Sequence, residues 1–78
     1  MSNLFLTEED IDGSPAIVGY QILRLLADRP NGRISIFDLA AQFQKTTWYT
    51  PKRLYFGMIF LRALNAIEFN PPYVERHA

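Results

Sequence analysis

The sequence predicts a small α+β domain, mainly helical, and three observations carry that prediction. Helix-opening signals recur three times, at Ser14-Pro15, at Ser35 with Asp38 three residues on, and at Thr50-Pro51. Each is followed by apolar residues at helical spacing. The chain then closes on two short β-like segments around Asn70-Pro71-Pro72, where proline suits a turn and cannot continue a ladder.

The first helix should start at Ser14, whose hydroxyl can accept a free backbone N–H, with Pro15 at a position that needs no donor. Val18, Ile22, Leu25 and Leu26 fall on one face. Arg29-Pro30-Asn31-Gly32 ends this helix. Arg33-Ile34-Ser35 is short, and a single β-bridge is expected there. Ser35 caps the second helix, whose buried stripe is Ile36, Leu39, Ala40 and Phe43. Gln44 to Tyr49 read as a connector, rich in β-branched and aromatic residues. The third helix runs to about Leu64, where Asn65 can take the left-handed conformation that ends a helix. Ala66 to Phe69 and Tyr73 to Arg76 read as strands. Helix, short strand, helix, turn, helix, strand, loop, strand is the order of a winged helix-turn-helix, three helices with a β-hairpin wing. We divide the chain into an N-terminal arm, residues 1–13, and a winged-helix domain, residues 14–78.

With 78 residues and no cysteine, the chain has room for one domain and no disulfide to support it. A domain this small buries only roughly 60% of the surface its unfolded form exposes. It must pack well or use a partner's surface. No apolar run approaches about 18 residues, so no membrane span or membrane partner is expected. No secretion signal is recognisable, and the cytoplasm is the expected location. The formal charge is zero but unevenly placed. Glu8, Glu9, Asp10 and Asp12 crowd the arm, whereas from Gly13 onward eight basic residues face four acidic ones, a net of +4. That mild excess permits nucleic-acid contact without demanding it.

The third helix is the most informative segment. At 100° per residue, Leu54, Met58, Leu61 and Leu64 fall on one side, and Tyr55, Phe56, Ile59 and Phe60 on the other. A small domain cannot cover both sides, and an exposed apolar patch marks an interface. Tyr55, Phe56, Ile59, Phe60 and the adjacent Arg62 are therefore the candidate protein interface. The competing reading is that Leu4, Phe5 and Leu6 fold back over this side. Thr7 and Asp10 could cap one short turn in the arm.

Lys45, Thr46, Thr47, Trp48, Lys52 and Arg53 are the candidates for nucleic-acid contact, placed where helix-turn-helix proteins meet bases and phosphates. Trp48 could stack on a base. The alternative places Trp48 and Tyr49 in the core and leaves Lys52 and Arg53 as solvated charges, and the small basic cluster favours it.

Catalytic chemistry is missing from the pattern. His77, the sole histidine, stands by the C-terminus and reads as a loose end. Ser14 and Ser35 read as helix caps. The acidic run lacks the spacing of a calcium loop, and no phosphate-binding glycine pattern is present. No enzyme activity, cofactor or metal is expected.

Three stretches resemble a bacterial family. They are Val18-Gly19-Tyr20-Gln21-Ile22-Leu23, Ile34-Ser35-Ile36-Phe37-Asp38-Leu39 and Phe60-Leu61-Arg62-Ala63-Leu64-Asn65-Ala66-Ile67-Glu68-Phe69. The resemblance, from about Gly13 to Val74, is to the small middle components of ABC-three-component systems. It implies a non-catalytic winged-helix subunit that bridges an SMC-like ABC ATPase to a third component, in conflict with phage or plasmids. It also implies a parallel with the accessory subunits of SMC complexes, which dimerise and grip through apolar surfaces, so a homodimer is a further expectation. DNA contact, direct or through the complex, stays open. Two other readings compete: a small DNA-binding winged-helix regulator, and an antitoxin or inhibitor whose acidic arm docks on a basic partner.

Overall fold

Three of the helix starts share one local chemistry. Ser14, Ser35 and Thr50 are extended at the backbone. Their hydroxyls accept the backbone N–H of Ile17 (3.4 Å), Asp38 (3.0 Å) and Arg53 (3.0 Å). Each bond satisfies a donor that the first helical turn leaves free. The computed structural model describes residues 7–77. They form a mainly helical α+β fold with four helices and a three-stranded antiparallel sheet. The order is α1 (Glu8–Asp12), α2 (Pro15–Ala27), β1 (Arg33–Ser35), α3 (Ile36–Phe43), α4 (Pro51–Ala63), β2 (Ile67–Asn70) and β3 (Tyr73–Arg76).

The additional helix, α1, is the capped turn of the arm. The Thr7 backbone N–H donates to Asp10 Oδ2 (3.2 Å), and the Asp10 N–H donates back to Thr7 Oγ1 (3.1 Å). This reciprocal pair is a capping box. Leu4, Phe5 and Leu6 lie outside the described residues, and so does any covering role for them.

The sheet runs β1-β3-β2, with Ile34 and Phe69 both opposite Val74. β1 is more than the expected single bridge, because all three of its residues pair with β3. Arg33 explains part of this. Its guanidinium stacks 4.2 Å from the Tyr73 ring centroid and reaches Glu75 at 3.5 Å, so it grips two residues on one face of β3, the face opposite the buried Val74. The Ile36 N–H donates to the Pro72 carbonyl at 2.8 Å, which ties the β2–β3 turn to the start of α3. Asn65 takes a φ of 61°, the left-handed conformation anticipated for the end of the last helix.

One core joins these elements. Val18, Ile22 and Leu26 of α2 meet Leu39 and Phe43 of α3, Leu54, Met58 and Leu61 of α4, and Ile67 and Val74 of the sheet. The α2–α4 crossing is very close. A Cβ placed on Gly57 would lie 2.5 Å from Val18 Cγ1 and 2.9 Å from Val18 Cβ. Val18 is β-branched and fully buried, so it has no other rotamer to adopt. Gly57→Ala gains about 1 kcal/mol of helix propensity and meets an overpacking cost of about 1–3 kcal/mol. The clash falls on backbone-proximal atoms, so the cost dominates. We expect a net loss of about 1–2 kcal/mol, read as a fall in Tm of about 5–10 °C. A variant as stable as the parent would contradict the close seam.

Candidate protein-interaction surface

The α2–α4 seam decides which side of α4 meets solvent. With Leu54, Gly57, Met58 and Leu61 turned to the core, the opposite side carries Lys52, Tyr55, Phe56, Ile59 and Ala63, all exposed. Tyr55 is 53% exposed, Phe56 44% and Ile59 39%. The Tyr55 and Phe56 rings lie 5.9 Å apart, and the Lys52 ammonium is 5.8 Å from the Phe56 ring. Arg62, also exposed, is three residues from Ile59 and seven from Tyr55, on the same side of the helix.

Phe60 departs from this group. It is half-buried and packs on the core cluster. Its ring edge would lie 3.2 Å from a Cβ on Gly19, so it wedges against α2 instead of facing outward. The missing side chain of Gly19 is what lets the ring enter. Leu64 departs in the other direction. Grouped with the core residues by spacing, it is 62% exposed. It is the residue that caps α4, and the chain turns away at Asn65. The core position beyond belongs to Ile67, which is fully buried.

The nucleic-acid candidates are dispersed. Trp48 is only 3% exposed, its ring 5.5 Å from that of Phe43, so it fills the core beside the connector and cannot stack on a base. Arg53 is held within the chain: Nη1 donates to the Trp48 carbonyl and Nη2 to Asp10 Oδ1, both at 3.0 Å. Asp10 is held below the ordinary carboxylate range, first by the Thr7 backbone and side-chain hydrogen bonds and then by Arg53. The Thr46 hydroxyl donates to the Phe43 carbonyl at 2.7 Å. That leaves Lys45, Thr47 and Lys52 as exposed members of the set.

The structure adds a surface that the sequence reading did not single out. Ile17, Tyr20 and Arg24 form one wall, and Gln42 and Phe43 the other, of an open groove of about 500 Å³ between α2 and α3. Tyr20 is well exposed, with the Arg24 guanidinium 5.9 Å from its ring. The signal was present in the spacing of Ile17, Tyr20 and Arg24, which lies opposite Val18 and Ile22.

Nor is His77 a loose end. Its Nδ1 lies 3.1 Å from the Asn65 carbonyl and its Nε2 3.4 Å from Glu68 Oε1. Ser14 and Ser35 serve as caps. Among the described residues, no group of three or more His, Asp or Glu could hold a metal ion, and no helix is long and apolar enough to cross a membrane.

No protein-family model matches this chain, and no match is found among curated proteins or among solved structures.

Proposed function

We propose that this chain is a non-catalytic winged-helix subunit that assembles with other proteins, in a complex built on an SMC-like ABC ATPase and a third component, in defence against phage or plasmids. The observation that carries the binding role is the outward side of α4. Three large apolar side chains stand exposed on one regular helix, held in place by a core that does not use them. Fully burying one such side chain is worth about 1.5–3 kcal/mol, so this group suffices to anchor a complex. The sheet order β1-β3-β2, with β2 and β3 as a hairpin that follows α4, supports the winged-helix reading. The resemblance of the three sequence stretches supports the ATPase partner.

Direct DNA reading fits less well. A reading helix needs a polar, solvated side. Here that side is apolar, and three of the six candidate contacts, Thr46, Trp48 and Arg53, are committed within the chain.

The test is isolation of the tagged chain from its own cells. We expect a large coiled-coil ATPase to co-purify at fixed stoichiometry, and Tyr55→Asp to lose it while the circular dichroism spectrum is unchanged. Recovery of no ATPase by the parent chain, or equal recovery by the variant, would overturn the proposal.

A further inference from the structure

The charges that border the α4 face narrow the chemistry of what it holds. Lys52, Tyr55, Phe56, Ile59, Arg62 and Ala63 follow i, i+3, i+4, i+7 spacing and make one stripe. Its middle is apolar and both of its ends are cationic. Lys52 and Arg62, ten residues apart, stand about 15 Å apart along the axis. The helix itself contains no Asp or Glu. The ion pairs among the described side chains are Arg33–Glu75, Arg53–Asp10 and His77–Glu68, so neither Lys52 nor Arg62 is neutralised by a described carboxylate.

A second copy of this chain fits the stripe poorly. Lys52 and Arg62 are equidistant from Gly57. Two antiparallel α4 helices, related by a twofold axis at Gly57, would set each Lys52 against the other copy's Arg62. A parallel pair would set Lys52 against Lys52 and Arg62 against Arg62. Every twofold arrangement that overlaps the whole stripe brings cation to cation. The chain already displays the complementary chemistry, because the acidic helix α1 places Asp10 on Arg53 in the first turn of α4.

We infer that the α4 stripe receives an amphipathic helix of a different protein, whose apolar side is bracketed by carboxylates about 15 Å apart. This inference rests on the proposed protein-binding role and adds the partner's chemistry to it.

Two labelled synthetic helical peptides with one shared apolar stripe test it. One carries Glu at the two bracketing positions and the other Lys, and each is titrated with the full chain by fluorescence anisotropy. At low salt the Glu peptide is expected to bind about 10-fold tighter, with the preference shrinking as salt approaches about 0.5 M. The double change Lys52→Glu with Arg62→Glu should invert the preference. Should that variant fold poorly, Lys52→Ala with Arg62→Ala should abolish it. Equal binding of both peptides overturns the acidic partner while leaving the binding role intact. Binding of neither at about 100 μM also overturns the inference. If the chain then sediments as a dimer that Ile59→Asp dissociates, the occupant is a second copy. Failure of the binding role itself is read separately, from the absence of a co-purifying ATPase.

Discussion

Trp48→Ala is expected to cost about 3–5 kcal/mol of folding stability, the range for removing a large aromatic from a packed core. Total stability for a domain of this kind is about 5–15 kcal/mol, so the loss is a large share of it. Thermal unfolding should show Tm lowered by about 15–30 °C. The expectation follows from position. Trp48 is almost completely buried, lies between the Phe43 and Tyr49 rings at 5.5 and 6.1 Å, and joins the connector to the core. Tilted aromatic pairs of this kind add about 0.5–1.5 kcal/mol beyond area burial. Arg53 bonds the Trp48 backbone carbonyl, so truncating the indole leaves that contact in place and isolates the packing effect. The same variant separates the two readings of the residue. A base-stacking tryptophan would leave folding stability within about 1 kcal/mol of the parent and weaken only nucleic-acid binding. That outcome would refute the buried assignment.

Local backbone chemistry made much of the fold legible. Ser14-Pro15, Ser35 and Thr50-Pro51 open helices because the hydroxyl acceptor and the imino acid act within one turn, and Asn65 ends the last helix for an equally local reason. Long-range placement was less legible. The pairing of β1 with β3 joins residues some forty positions apart and depends on Arg33 meeting Tyr73 and Glu75, which no periodicity encodes. Leu64 and Phe60 show the same limit on the candidate surface. Helical spacing assigns a direction around the axis, but it does not say that Ile67 takes the core position beyond Leu64 or that Gly19 leaves space for a ring. Arg53 read as a solvated charge or a phosphate contact because its partner, Asp10, lies 43 positions away.

Ile59→Asp and Phe60→Asp, adjacent in sequence, should have opposite consequences. Ile59 is on the outward stripe, partly solvated in the free chain. A carboxylate there meets water, so stability should change by no more than about 1 kcal/mol. The cost should appear in the complex, where the side chain would be buried unpaired among apolar groups of the partner. A central anchor is worth about 2–4 kcal/mol, so partner affinity should fall by about 100-fold and co-purification should be lost. Phe60 packs on the core cluster against Gly19. Replacing it forfeits apolar burial and places a charge in a poorly hydrated seam, for an expected cost of about 2–4 kcal/mol in the free chain. Urea unfolding with unchanged m-values would measure both. Unfolding by Ile59→Asp would mean that the outward stripe is internal packing, and the interface reading would fall with it. Undiminished partner capture by a stable Ile59→Asp chain would be equally damaging, since it would leave the exposed aromatic face of α4 without a binding role. A stable Phe60→Asp chain would show that the seam between α2 and α4 opens enough to hydrate a carboxylate. Phe60 would then rejoin Tyr55, Phe56 and Ile59 on the solvent side.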